Sequence, residues 1–154
     1  MTLRVRRVVT GLNAHGKAVV TDDGILPVVT RRPGQSGCNV WAVDQIPVDL
    51  GDRDHANDVS GSTISNGAVF RVVRYEAGTS GRMHRTHSMD CAVILNGSIV
   101  LELDDGAEVT LGAGDVLVQR GTIHNWINRG TEPCTIAFVL LDARADPITQ
   151  ERSS

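Results

Sequence analysis

The sequence predicts an all-β fold, a sandwich or barrel. Three observations carry this: apolar runs of strand length recur along the chain, turn signals separate them, and no segment shows helical periodicity. With 154 residues there is enough chain for one domain with a sizeable core and too little for two ordinary ones.

In the N-terminal third, RVRRVVTG, KAVVTD, ILPVVTRR and NVWAVD read as strands. The stretches NAHG, DDG and PGQSG between them read as turns. Residues 45–62, QIPVDLGDRDHANDVSGS, are polar and carry Pro, Gly and Asp, which predicts a long loop or a short helical excursion. Loops of this length are uncommon without a task, so this one is expected to cover a pocket or a partner. GAVFRVVRYEAG is a strand ending at a glycine turn, and MDCAVIL is a strand ending at Asn96-Gly97. SIVLELDDGAEVTLGAG reads as a hairpin, because Asp105-Gly106 is a strong tight-turn signal. In it Ile99, Leu101 and Leu103 alternate with Val100, Glu102 and Asp104, the period of a half-buried strand. DVLVQ, TIHNWIN and CTIAFVLLD complete the set, and RADPITQERSS is a polar tail expected to fray. Three regions follow: an N-terminal β extension with its long loop (1–62), a barrel (63–144) and the tail (145–154).

Composition excludes several functions. The net charge of −3 argues against a nucleic-acid partner, which usually needs a basic face, and 3% aromatic residues argue against a stacking platform. No apolar run approaches the roughly 20 residues that span a membrane; the longest, Thr135 to Leu141, has strand length. The basic N-terminus is not followed by a signal-peptide core, so a cytoplasmic protein is expected. Cys38, Cys91 and Cys134 are odd in number and lack C-x-x-C spacing, which argues against a disulfide framework or zinc knuckle. Cys91 and Cys134 read as small core residues. G-x-S-x-G, P-loop and dinucleotide motifs are absent.

The chemistry concentrates in RMHRTHSMDCAVILNG, residues 82–97, and in TIHNWIN. Side chains at i, i+2 and i+4 of a strand share a face. His84 and Thr86 therefore point together and His87 points away, unless a bulge intervenes. Asp90, Ala92 and Ile94 share one face, and His124, Trp126 and Asn128 share another. If His84, Asp90 and His124 all face a barrel interior, two imidazoles and a carboxylate meet there. Such a trio can hold a divalent transition metal (Fe, Mn, Ni, Co or Zn) with open positions. It can equally work without metal as acid–base machinery, the carboxylate tuning an imidazole and two imidazoles dividing the proton-transfer roles.

These residues resemble the two motifs of the cupin superfamily. The first motif runs G, five residues, H-x-H, three or four residues, E, six residues, G. Here stand Gly78, His84, Thr86, Asp90 and Gly97. The second runs G-D, a short strand, P-x-G, two residues, H, three residues, N. Here stand Gly114-Asp115, Gly121, His124 and Asn128, with the first gap one residue short and the proline missing. The resemblance implies a jelly-roll (double-stranded β-helix) barrel and a ligand set in which His84, Asp90 and His124 match three of four positions. Thr86 stands where the second histidine belongs, and a hydroxyl is a poor ligand for such metals. Asp90 is one methylene shorter than the family's glutamate.

Arg82 shares parity with His84 and Arg120 begins the turn before His124, so each is a candidate to hold a substrate carboxylate. Trp126 is a candidate pocket wall. His15 lies in a turn, and His55 lies in the long loop, from which it could reach the pocket. The resemblance further implies a small enzyme acting on a small oxygen-rich molecule, a hydroxy acid, keto acid or polyketide-like compound. Lyase or proton-transfer chemistry (dehydration, decarboxylation, isomerisation) is expected first. An iron-dependent dioxygenase and a non-catalytic ligand-binding barrel are the alternatives. A homodimer paired through the N-terminal strands is expected, since exposed edge strands favour pairing.

Overall fold

The structure is a computed structural model and describes residues 2–145. Most of the tail expected to fray, residues 146–154, lies outside the described residues.

Two antiparallel sheets enclose the core. The larger contains β3 (Val29–Arg32), β4 (Gln35–Val43), β5 (Ala68–Tyr75), β11 (Cys134–Asp142), β6 (Ser88–Asn96) and β9 (Val116–Arg120), in that spatial order. The smaller contains β10 (Asn125–Ile127), β7 (Ser98–Glu102) and β8 (Glu108–Gly112), with β7 in the middle. Apolar side chains of both sheets form one cluster, including Val69, Ile94, Ile99, Leu101, Trp126, Ile136 and Phe138. Ile94, Ile99 and Ile136 are at most 1% exposed. Each such side chain contributes about 1.5–3 kcal/mol by burial. The period-2 pattern of β6 holds: Asp90, Ala92 and Ile94 are buried, while Cys91 and Val93 are half-buried and Leu95 is exposed. Cys91 is therefore on the outer face, not in the core as its strand-like setting suggested; Cys134 is fully buried.

The N-terminal region does more than pack on the barrel. β4 pairs with β5 along its whole length, so β3 and β4 extend the main sheet. The turn expected at PGQSG is confined to Pro33-Gly34, and Gln35 to Gly37 are already strand. Gly37 belongs there because a Cβ would meet the backbone of Val72 on the paired strand. The predicted hairpin turn is present, with Asp105 and Gly106 at φ 57° and 74°. Gly97 at φ 77° faces the Pro133 carbonyl, where no side chain fits.

β1 (Arg6–Leu12) and β2 (Ala18–Ile25) form a separate two-stranded ribbon. Arg7 fastens it to the barrel: Nη1 donates to the Val40 carbonyl and to Asp54 at 3.0 Å each, and the guanidinium lies 5.7 Å from the centre of the Trp41 ring. Residues 45–62 make a loop with one turn of 3-10 helix, Ala56–Asp58. His55 does not reach the pocket. Its ring is buried between Asp52 and Asp58, at 2.8 and 2.9 Å, and its backbone N–H donates to the Ala42 carbonyl. Asp54 accepts from the amides of Ala42 and Ala56, tying the same loop to β4. No helix among the described residues is long and apolar enough to cross a membrane.

Candidate active site in the barrel

The two motifs meet as neighbouring chain segments. His84 and His124 form an isolated antiparallel bridge, each amide donating to the other's carbonyl at 2.9 Å. This brings the imidazole centres to 4.3 Å. Each Nδ1–H donates to a backbone carbonyl two residues upstream, His84 to Arg82 and His124 to Thr122, both at 2.8 Å. A neutral imidazole fixed in this way carries its lone pair on Nε2. Both rings therefore stand in the tautomer that a general base or a metal ligand needs.

The sequence reading missed Gln119, the residue that links these groups. In β9 it faces inward, 3% exposed, at the position where the second motif has proline. Its Nε2 lies 3.2 Å from Asp90 Oδ2 and 3.1 Å from His124 Nε2, so the amide donates to both. Its Oε1 is buried without a partner. On the other side of the carboxylate, Ser88 Oγ donates to Asp90 Oδ1, and Thr86 Oγ1 lies 3.1 Å from Ser88 Oγ. Three departures from the family pattern, Thr86, Asp90 and Gln119, thus belong to one hydrogen-bonded array. A signal was available: a glutamine replacing a proline on an inward-facing strand position supplies polar atoms that must find partners.

Burial shapes the electrostatics. It raises the Asp90 pKa above the usual carboxylate value, opposed by hydrogen bonds from Ser88, Gln119 and Thr86 and by His84. Burial lowers the His124 pKa, opposed by its bond to the Thr122 carbonyl. His124 is therefore held neutral, as its contact with the Gln119 amide requires.

His84, Thr86, Arg82 and Trp126 line a cavity of about 360 Å³ inside the barrel, with Ser60 to Ser62 of the long loop at its wall. His124 and Asp90 lie behind this surface, 2% and 4% exposed. Trp126 packs edge-on to both His124 and Phe138. Arg120 is excluded from the cavity. Strand alternation turns Gln119 inward and Arg120 outward, where it is exposed beside Arg85, His87 and Met89. His87 is also on the outside, and no bulge returns it to the site.

The ligand atoms of His84, Asp90 and His124 do not gather within 4.8 Å of one another. Among the described residues, the only such group is Asp44, Asp52 and His55 in the long loop. There the imidazole is already satisfied by Asp52 and Asp58. The barrel site offers a divalent metal one free imidazole nitrogen, His84 Nε2, because His124 Nε2 already accepts from the Gln119 amide. It does not fit a metal through Asp90, whose oxygens are taken by Ser88 and Gln119.

Comparison with known proteins agrees with this architecture. The cupin-domain family matches residues 71–140. The chain is 34% identical over 148 residues to the cupin-domain-containing oxidoreductase fogC of Aspergillus ruber, covering 90% of this chain and 73% of that protein. It is 39% identical over 112 residues to phomopsin biosynthesis cluster protein C' of Diaporthe leptostromiformis, covering 68% of this chain and 59% of that one. Among solved structures, KdgF from Halomonas sp. superposes with a TM-score of 0.54 at 16% identity, covering 80% of this chain and 91% of that one. The fold is the jelly-roll barrel with an N-terminal β extension, and the chain belongs to the cupin superfamily.

Proposed function

We propose that this protein is an enzyme of small-molecule biosynthesis that transfers a proton from an oxygen-rich organic substrate in the barrel cavity. The observation that carries the reading is the His84–His124 pair, with both Nδ1 atoms tied to carbonyls and His84 at the cavity surface. His84 Nε2 removes the proton, from a hydroxyl or from carbon beside a carbonyl. His124, fixed by Gln119 and Thr122, orients His84 through the backbone bridge and ring contact. Trp126 walls the substrate and excludes water.

The net reaction we assign to the oxidoreductase class, which the name of the fogC relative supports. The expected dehydration or decarboxylation finds no such support. A transition metal bound at His84 Nε2 would take the place of direct proton removal by that atom and would activate dioxygen as the electron acceptor. A second reading, metal-free isomerisation or elimination, is favoured by the Gln119 amide lying against His124 Nε2. We further propose that two copies pair through the β1–β2 ribbon, and that the long loop walls the cavity as a fixed element.

The test is incubation of purified protein with a panel of hydroxy and keto acids and phenolic polyketides. Oxygen uptake, bound metal and product mass are measured with and without chelator. Oxidised products whose formation stops on chelation support the oxidoreductase assignment. Chelator-resistant products of unchanged mass, or products lacking water or carbon dioxide, overturn it in favour of the second reading.

A further inference from the structure

We propose that Arg31 and Arg71 form a carboxylate-binding subsite in the barrel cavity. The substrate is then an organic acid, with its carboxylate on this arginine pair and its reacting end at His84. The proposal rests on the enzymatic reading above and supplies the substrate class for that cavity.

The cavity lining contains Arg31, Arg32, Arg71 and Arg82 and no Asp or Glu. Arg71 stands on the inward face of β5 between Val69 and Val73 and is only 7% exposed. Its Nε donates to Asn39 Oδ1 at 2.8 Å and its Nη2 to the Gly61 carbonyl at 2.6 Å. Arg31 Nη2 donates to the same Asn39 oxygen at 3.0 Å, while Arg31 Nε is buried with no acceptor. Every protein acceptor on this pair is thus neutral. Among the described residues, neither guanidinium forms an ion pair. Burial lowers the Arg31 pKa, and burial together with the Arg31 charge lowers that of Arg71 to about 10.

Several other arginines do have a carboxylate partner. Arg74, on the opposite face of the same strand, pairs with Glu76 at 2.7 Å. Arg7, Arg53 and Arg129 each pair with a carboxylate as well. A buried cation beside a half-buried one, with no carboxylate paired to either among the described residues, opposes folding. A ligand anion entering the cavity supplies the counter-charge.

Its chemistry follows from the donors. Nη1 of both arginines has no protein acceptor among the described residues. Guanidinium N–H groups match the oxygens of a carboxylate. They match phosphate oxygens as well, but a phosphoryl site commonly adds a nest of backbone N–H groups or a helix N-terminus. The two short helical turns of the described chain, Ala56–Asp58 and Asp104–Gly106, are not in the cavity lining. Val73, Phe138, Leu140 and Trp126 give the rest of the cavity an apolar wall suited to a carbon skeleton.

Isothermal titration with benzoate, phenylacetate and hexanoate, against benzamide and inorganic phosphate, tests the subsite. At least one of the acids is expected to bind the wild type, and its neutral counterpart roughly tenfold or more weakly. Arg31→Gln and Arg71→Gln are each expected to weaken acid binding by about tenfold or more while leaving benzamide unchanged. Arg31 is only half-buried, so Arg31→Gln decides the matter if Arg71→Gln does not fold. Failure of every acid to bind, acid binding unchanged in Arg31→Gln, or tighter binding of phosphate than of any acid overturns the proposal. His84→Ala is expected to keep acid binding and lose turnover. If acids bind through the arginines and no product forms from any substrate, the subsite stands and the enzymatic reading falls.

Discussion

His84 and His124, forty residues apart in sequence, are joined by reciprocal backbone hydrogen bonds of 2.9 Å, with ring centres 4.3 Å apart. The bridge makes one unit of two motifs that the chain carries on separate segments. It also fixes the roles: His84 at the cavity, His124 behind it.

Replacement of either histidine is therefore expected to remove activity without unfolding the barrel. His84→Ala and His124→Ala should each lower turnover by roughly 10²- to 10⁴-fold, the range of general acid–base catalysis. Product formation and far-ultraviolet circular dichroism check this. Near wild-type turnover in His84→Ala would remove His84 from the chemistry.

Asp90 is expected to cost stability when ionised. Its folded pKa is raised, chiefly by burial, so the folded state binds the proton more tightly than the unfolded chain. Its contribution is most favourable below the unfolded value of about 3.9 and is lost as pH rises through the folded value. Asp90→Asn should accordingly gain stability relative to wild type as pH rises from about 4 to 7. Urea unfolding at both ends of the range measures this, and a difference that does not change with pH would contradict the raised pKa.

Gln119→Leu is expected to cost about 1–3 kcal/mol at neutral pH, because it strips a buried carboxylate and His124 of a shared donor. Gln119→Glu is expected to be worse, since a second carboxylate would face Asp90. Chemical denaturation of both variants gives the order; a neutral effect of Leu would show that the amide is dispensable.

The long loop should be pH-sensitive through His55. Its pKa is raised, first by Asp52, against an opposing effect of burial, and further by Asp58 and Asp44. The stabilisation is fully present below the unfolded histidine value of about 6.5, while the carboxylates remain ionised, and is lost as pH rises through the higher folded value. Hydrogen exchange of residues 45–62, corrected for intrinsic rates, should show weaker protection above that range, and His55→Ala should abolish the pH dependence.

The β1–β2 ribbon leaves Leu12, Val20 and Val8 at 72%, 59% and 49% exposure. A two-stranded ribbon is marginal alone. Light scattering of the wild type is expected to give a dimer and of Val20→Asp a monomer; a monomeric wild type would rule out the proposed pairing.

The strand order in sequence, the tight turn at Asp105-Gly106 and the inward face of β6 were legible from alternation alone, because one face of a sheet must be apolar. So were the inward placement of His84 beside Thr86 and the exclusion of His87. The pairing of β4 with β5 was not, since Gly37 reads as a turn residue until a paired backbone is seen to need it. Arg120 was misplaced because a one-residue step in a strand reverses a side chain, and the register of β9 was not fixed by its short apolar run.

The sequence by itself determined a β-rich cupin chain and the two histidines at its centre, since local periodicity and motif spacing are short-range properties. Tertiary structure alone decided the partners. Gln119 meets Asp90 across 29 residues, and Arg71 shares Asn39 with Arg31 from a different strand. Such contacts depend on sheet order and register, which no local pattern encodes. Whether a buried polar side chain is a liability or part of a site depends on what stands opposite it.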